Sequence, residues 1–188
     1  MTTPSTGPTS EGTSARPPSP ATTPIELVQI DRSSRSVLEN LGQLYRHDLS
    51  EGLAHLPNDD GTFNNRRLDV FRSGADPTLR AWLIRVGGRL GGFVMTHTDD
   101  QGRHHIGDFF VVRALRRRGI GHEVIRRVLA AQPGQWQIGF QDYNRGARQF
   151  WTAVATEAAG DAWTIEHLPV PGLAHLPPDS FIAFTVTH

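Results

Sequence analysis

The stretch from Arg113 to His122 (RALRRRGIGH) places an arginine cluster and two glycines directly ahead of a helix-forming segment. The first N–H groups of a helix have no intrahelical partners, so such a turn presents several donors in one direction. The helix dipole adds a partial positive charge at the same point. Glycine lets an anion approach the backbone, and Arg117 and Arg118 add charge at the rim. The pattern predicts an anion site suited to a pyrophosphate.

Two other interpretations of the same turn stay open at this stage. A short glycine turn also joins a strand to a helix without binding anything. It is not the dinucleotide-binding fingerprint, because His122-Glu123-Val124 follows and no third glycine is present. Three consecutive arginines also suit contact with nucleic acid, but the rest of the chain lacks a stripe of basic and aromatic residues.

Two motifs carry a family resemblance. Arg116–Gly121 (RRRGIG) fits the pattern [QR]xxGx[GA], and Asn144–Trp151 (NRGARQFW) fits Asn-x-x-Ala-x-x-Phe-aromatic. In these residues the sequence resembles the GNAT superfamily of acyl-CoA-dependent N-acetyltransferases, most closely across residues 104–151. The resemblance implies an α/β fold with a mixed, mostly antiparallel central sheet, splayed fourth and fifth strands, and helices on both faces.

The resemblance also implies acetyl-CoA as co-substrate and a set of residues that hold it. The backbone N–H groups of residues 117–122 would bind its pyrophosphate. Its pantetheine arm would pair with the free edge of the fourth strand, and an N–H near Val111 would polarise the thioester carbonyl. The cofactor-binding residues expected on this basis are Phe110, Val111, Val112, Arg116, Arg117, Arg118, Gly119, Ile120, Gly121, His122, Asn144 and Phe150.

Catalysis requires an amine without its extra proton, and family members often use an acidic residue on the fourth strand as general base. Asp108 is the acidic residue of that strand, where close relatives tend to carry glutamate. Its alternative is a structural carboxylate that bonds a loop or an arginine. Trp151 stands where many members have a tyrosine acting as general acid, and indole is no useful acid. Tyr143 is a possible substitute acid, or a residue that packs beside the cofactor.

Histidines and acidic residues of the first helical region allow further hypotheses. On a continuous helix His47, Glu51 and His55 would share one face, and they are of metal-ligand type. A solvated helix face is the preferred interpretation, and no metal is expected. The adjacent His104 and His105 face opposite sides of a strand, so one of them could line an acceptor pocket. Asp48, Glu51, Asp59 and Asp60 would make that pocket acidic, which favours a cationic amine such as an amino sugar or a polyamine-like metabolite.

Composition narrows the chemistry. The 188 residues carry 19 basic and 19 acidic side chains, so no global basic field favours nucleic acid or an anionic membrane. The chain has no cysteine, and all its basic residues are arginine. Thiolate nucleophiles, Schiff-base lysines and a Walker-type phosphate loop are therefore excluded, and direct attack by the amine is expected. Lysine-free usage suits a high-GC bacterial genome.

Predicted strands and helices alternate along most of the chain. Residues 1–24 contain 7 Thr, 6 Pro and 4 Ser without Val, Ile, Leu or aromatic residues, which predicts a disordered tail without the apolar segment of a secretory signal. The domain is expected over residues 25–188. Its predicted strands are 25–31, 79–86, 90–98, 104–112, 136–141, 163–168 and 181–186. Helices are predicted over 121–131 and 145–158, in two stretches within 33–56, and over 66–72.

The sequence therefore predicts a cytoplasmic N-acetyltransferase that acts on the primary amine of a small molecule, with acyl-CoA and the amine as partners. No nucleic acid or membrane is expected as a partner, and a homodimer is possible by analogy with the family. Two alternatives stay open: a CoA-binding module without transferase activity, and a different acyl-CoA reaction on the same fold.

Overall fold

One sheet organises the chain in a computed structural model, which describes residues 23–53, 55–169 and 178–187. In these residues the strands are β1 (Ile25–Gln29), β2 (Arg80–Val86), β3 (Arg89–Thr98), β4 (His104–Val111), β5 (Gly134–Gln141), β6 (Trp163–Leu168) and β7 (Asp179–Val186). The helices are α1 (Arg35–Leu53), α2 (Arg66–Ser73), α3 (Ile120–Ala131) and α4 (Arg145–Ala159), with a 3-10 turn at Arg113–Leu115.

The strand order is β1-β2-β3-β4-β5-β7-β6, and neighbouring strands are antiparallel except for β4 and β5. These two parallel strands pair only through His104 with Trp136 and His105 with Gln137. Beyond His105 they separate, which leaves one edge of β4 without a neighbouring strand. The predicted mixed, mostly antiparallel sheet with splayed fourth and fifth strands is confirmed.

Helices cover both faces of the sheet, as predicted. On one face α3 and α4 pack over a core that includes Val94, Val124 and Ile182. On the other face α1 and α2 pack over a second core that includes Leu38, Phe93 and Met95. Deep burial of these apolar side chains is the main stabilising contribution to both layers. The β4–β5 opening therefore lies between two separately packed layers.

Local sequence explains the turns that set this register. Gly87 and Gly88 both have positive φ, at 59° and 74°, and they close the β2–β3 hairpin. Two left-handed residues match the twist of the flanking strands, and glycine adopts that conformation without steric cost. Asn65 caps α2 by accepting a hydrogen bond from the Leu68 N–H, and Gly74 ends the helix in a left-handed conformation.

The first helical region differs from the prediction. Two helical stretches were expected within residues 33–56, but α1 runs without a break from Arg35 to Leu53. No proline or cap interrupts Arg46-His47-Asp48, and these residues cost under about 0.7 kcal/mol each in a helix. Continuity matters for the site because it brings Tyr45, Asp48 and Gly52 onto one rigid element.

No helix among the described residues is long and apolar enough to cross a membrane.

Candidate active site

The turn between β4 and α3 exposes a group of backbone donors. Gly119 is the N-cap of α3, it provides no side-chain cap, and the first intrahelical bond runs from the Glu123 N–H to the Gly119 carbonyl. The N–H groups of Ile120, Gly121 and His122 precede that bond. They are the donors that a helix start offers to an anion.

Left-handed backbone conformations shape this turn. Gly119 has φ of 75°, and Arg117 has φ of 59°, the one positive value among the described non-glycine residues. A non-glycine residue in this region costs about 1–2 kcal/mol. Left-handed residues alternating with others turn successive N–H groups inward to form an anion-binding concavity. A Cβ built on Gly119 would meet nothing within 4 Å, so the space in front of the turn is open. The residues present therefore fit a pyrophosphate.

The free edge of β4 leads directly into this turn. The Val112 N–H bonds the Gly91 carbonyl on β3 at 2.9 Å. Because successive residues of a strand point their backbone groups to opposite sides, the N–H and carbonyl of Val111 point away from β3, into the β4–β5 opening. The Arg116 Nε donates to that Val111 carbonyl at 2.6 Å, and the Arg116 guanidinium lies 5.5 Å from the centre of the Phe110 ring.

A carboxylate from α1 holds two arginines of the same segment. Asp48 accepts from Arg113 Nε at 2.9 Å and also forms an ion pair with the Arg116 guanidinium. Burial raises the pKa of Asp48, but the hydrogen bonds from Arg116 and Arg113 outweigh it and leave the pKa below its usual value. Asp48 is therefore bound to the segment that leads into α3 and does not offer a free negative charge on the other side of α1.

Aromatic rings fill the other wall of the opening. Phe150 on α4 stacks on Phe109 with ring centres 5.7 Å apart and meets His122 edge to face at 4.7 Å. Trp151 is buried and lies 5.9 Å from Phe109, so its indole belongs to the core of this face. The Asn144 Oδ1 accepts from the Ala147 N–H at 2.9 Å and caps α4.

Asp108 lies on the opposite face of β4, towards α1 and α2. It is buried, and its Oδ2 has no hydrogen-bond partner among the described residues. Its Oδ1 is 3.5 Å from Arg67 Nε. Burial raises the pKa of Asp108 above its usual value, although the charge of Arg67 opposes that shift. Burial also raises the pKa of the neighbouring Tyr45, and the charge of Asp108 adds to that rise.

The sequence analysis missed three residues around Asp108: Arg67, Tyr45 and His97. Arg67 is the one in direct contact with both Asp108 and His97. Its Nη1 lies 3.4 Å from His97 Nδ1, and its side chain crosses Gly107, where a Cβ would come within 2.8 Å of Arg67 Cδ. A glycine just before Asp108, in a strand otherwise rich in large residues, was the signal available in the sequence. No rule of spacing links it to an arginine forty positions earlier.

Two histidines complete this corner. His97 and His105 stack with ring centres 4.8 Å apart, and His105 Nε2 lies 3.0 Å from Asp99 Oδ2. Burial and the charge of Arg67 lower the pKa of His97 to about 4, so its ring is neutral near pH 7. His104 points to the other face, where it contacts Trp136. Of the adjacent pair, His105 is therefore the one on the face of Asp108.

Tyr143 lies in the turn before α4 and contacts a different part of the molecule. A Cβ on Gly52 of α1 would come within 2.8 Å of the Tyr143 hydroxyl, so the ring packs directly on this glycine. Its side chain is about half exposed. Asp108 has Arg67 and Tyr45 as neighbours, whereas Tyr143 packs on Gly52; the two residues predicted to be catalytic have different contacts.

The metal hypothesis for α1 finds no geometric support in the part of the chain that is described. His47 packs edge to face with Phe63, and α1 ends at Leu53, so His55 lies beyond the helix. Among the described residues, no group of three or more His, Asp or Glu side chains could hold a metal ion.

Comparisons with known proteins agree with this geometry. The Acetyltransferase (GNAT) family matches residues 38–154, which is more than half of the chain, and the chain belongs to this family. Solved structures share the fold. An acetyltransferase from Thermus thermophilus has a TM-score of 0.63 at 14% identity, over 88% of this chain and 99% of that one.

Two other solved structures have more specific descriptions. The dodecameric spermidine N-acetyltransferase from Vibrio cholerae has a TM-score of 0.57 at 11% identity, covering 86% of this chain and 93% of that one. The ribosomal-protein-S18-alanine N-acetyltransferase from Escherichia coli has a TM-score of 0.53 at 11% identity, covering 87% and 95%. At these identities the likeness concerns the fold alone. No curated protein matches the chain by sequence.

Proposed function

We propose that this protein transfers the acetyl group of acetyl-CoA to the primary amine of a small molecule by direct attack. The observation that carries the proposal is the uncapped start of α3, open in front of Gly119, at the end of the free edge of β4. Such a turn suits a pyrophosphate group, and such a strand edge suits an extended arm that carries a thioester. Membership of the GNAT family supports acyl transfer as the reaction class.

The residues of the turn would bind and orient the donor. The N–H groups of Ile120, Gly121 and His122 would hold the pyrophosphate, and the exposed Arg117 and Arg118 would add charge around it. Phe110, Val111 and Val112 would line the arm, Phe150 would pack beside it, and Asn144 would contact it or only cap α4. Arg116 would leave the Val111 carbonyl when the arm arrives, since both compete for that acceptor.

The bound co-substrate supplies a thioester carbonyl that an amine can attack. In the transfer, the amine nitrogen forms a bond to that carbonyl carbon and the carbon–sulfur bond breaks, which leaves the CoA thiolate. The Val111 N–H would stabilise the developing oxyanion. Asp108 would take the proton that the amine loses, directly or through water, and Tyr143 is proposed as the acid that protonates the thiolate. The products are an amide and the free CoA thiol.

A second candidate is a CoA-binding protein without transferase activity. The burial of Asp108 and its pairing with Arg67 favour this alternative, because both restrict access of an amine to the carboxylate. We further propose that the protein acts in the cytoplasm of a bacterium, on a metabolite and not on nucleic acid, without a metal, and as a homodimer or monomer.

Calorimetric titration of acetyl-CoA into the full chain, followed by thiol release with a panel of primary amines, tests the proposal. We expect a dissociation constant in the micromolar range, which corresponds to a binding free energy of about −8 kcal/mol. We also expect turnover with at least one amine. Binding without turnover on any amine would support the CoA-binding alternative. Absence of binding at millimolar acetyl-CoA would overturn both.

A further inference from the structure

We propose that the acceptor is a small aminocarboxylate and that Arg67 binds its anionic group. This inference rests on the proposed transfer reaction and assigns its substrate class. It differs from the cationic amine that the acidic residues of α1 suggested in the sequence.

The end of the β4–β5 opening at which the acetyl group would react lies beside Gly107 and Asp108. The β4–β5 opening is closed by the pairing of His105 with Gln137, so an extended arm that enters from the α3 turn cannot pass that point. On the α3–α4 face, the rings of Phe109, Phe150 and Trp151 occupy the space. An amine would therefore approach from the α1–α2 face.

Arg67 stands at this approach. Its side chain is packed across Gly107 and is 37% exposed, so the guanidinium is both fixed and accessible. Its contacts with Asp108 and His97 measure 3.5 and 3.4 Å. Charge-assisted hydrogen bonds are typically about 2.7–2.9 Å long, and an arginine has five N–H donors. Arg67 therefore retains donors for a further anion.

The charges around Arg67 favour an anion over a second cation. Arg46 is close enough for its charge to affect the pKa of Asp108, and it adds to the positive potential. Three acidic residues of this region already have partners. Asp48 holds Arg113 and Arg116, and Asp99 holds Arg103 and His105. Asp76, whose charge reaches His97, accepts hydrogen bonds from Thr78. Asp108 is the carboxylate that remains in contact with Arg67. A diamine would bring a second positive charge into this corner at a cost.

A zwitterion complements the pair that is left. An amino group directed at Asp108 and an anionic group directed at Arg67 would match two opposite charges whose nearest atoms are 3.5 Å apart. His97 is compatible with this pairing, because burial and the charge of Arg67 lower its pKa to about 4 and its ring adds no positive charge beside Arg67 near pH 7.

The test compares acceptors that differ in the anionic group on one ethylamine skeleton. Thiol release by the full chain is measured with alanine, ethylamine and 1-aminoethylphosphonate, and with putrescine as a dication. We expect alanine to have a kcat/KM at least about tenfold above that of ethylamine or putrescine, as one charged hydrogen bond provides. Higher activity on 1-aminoethylphosphonate than on alanine would overturn the carboxylate assignment.

Variants of Arg67 assign the effect to this side chain. Arg67→Gln should raise KM for alanine about 10- to 100-fold and leave that for ethylamine within about twofold. The KM of Arg67→Lys for alanine should lie between that of the wild type and that of Arg67→Gln. Arg66 is an exposed neighbour on α2, and Arg66→Gln is the matched control, which should leave both KM values unchanged. The dissociation constant of acetyl-CoA should be the same in all variants, which excludes a loss of folding as the cause.

A binding measurement separates the two proposals. Alanine is titrated calorimetrically into the CoA-saturated full chain, which needs no turnover. Binding that Arg67→Gln abolishes supports the inference even if no amine is acetylated, in which case the transferase proposal alone fails. Acetylation of putrescine in preference to alanine, or alanine binding unaffected by Arg67→Gln, overturns the inference and leaves the transferase proposal intact.

Discussion

The two halves of the candidate site are built in different ways. The proposed donor side is a continuous segment, residues 113–122, whose unpaired backbone N–H groups would provide the contacts. The acceptor corner is assembled from α1, α2, β3 and β4, and its contacts are side chains: Tyr45, Arg67, His97 and Asp108. Backbone donors are available whatever the residue, whereas side-chain clusters depend on every member.

This difference explains why the donor side can be predicted from a single sequence and the acceptor corner cannot. It also predicts that substitutions will separate donor binding from acceptor chemistry. Variants of Asp108, Gly119 and Asp48 test that separation, and a variant of His97 tests the protonation of the acceptor corner.

Asp108→Asn should lower kcat by about 10²–10⁴-fold, the usual contribution of a general base. The amide keeps the volume of the carboxyl but cannot take a proton, so the acetyl-CoA dissociation constant should stay unchanged. Steady-state kinetics and calorimetry measure the two quantities. Asp69→Asn, on the exposed face of α2, is the control. Unchanged kcat in Asp108→Asn would assign Asp108 a structural role.

Gly119→Val should weaken acetyl-CoA binding by about tenfold or more, since a left-handed β-branched residue costs about 1–2 kcal/mol and distorts the donors around it. Gly102→Val is a close control, because Gly102 also has positive φ, at 77°, and its added Cβ would likewise meet nothing within 4 Å. That variant should lose stability to a similar extent but retain affinity for acetyl-CoA. Equal affinity in both variants would contradict the assignment of the α3 turn as the pyrophosphate site.

Asp48→Asn tests the bridge between the halves. The variant frees the Arg113 and Arg116 guanidinium groups, whose charge Asp48 otherwise neutralises beside the α3 turn. We expect acetyl-CoA to bind up to about fivefold more tightly at low salt, with the gain lost at high salt. Glu51→Gln, an exposed position on the same helix, should have no effect. Weaker binding in Asp48→Asn would mean that the carboxylate instead holds the arginines in a binding geometry.

His97 should give the protein a pH-dependent stability. Its pKa is about 4 in the folded chain, against 6.5 as its ordinary value, so between these values the unfolded chain takes up a proton that the folded chain excludes. The protein is therefore stable with respect to this group above pH 6.5 and loses stability as pH falls towards 4. The Tm of the wild type should fall as pH is lowered, and this fall should be about 2–4 °C smaller in His97→Gln. His47→Gln is the control and should behave like the wild type. If the Tm of His97→Gln falls as much as that of the wild type, His97 is excluded as the source.

Much of the fold could be predicted because its signals are local. Gly87-Gly88 indicated a hairpin, the alternation of apolar residues indicated the strands, and Asn144 indicated the start of α4. The error was also local in kind: two helical stretches were predicted within residues 33–56, where α1 continues from Arg35 to Leu53. Packing of Leu38 and Leu41 in the core stabilises the continuous helix.

The backbone of the α3 turn could be predicted from one segment of sequence, because a glycine turn before a helix fixes where the N–H groups point through backbone dihedral angles alone. The charges around Asp108 could not be predicted in this way. The packed structure pairs Asp48 with Arg113 and Arg116 and places Arg67 across Gly107, forty residues away in sequence. Such pairings depend on how α1 and α2 pack on the sheet, and no spacing within one segment of the chain records that packing.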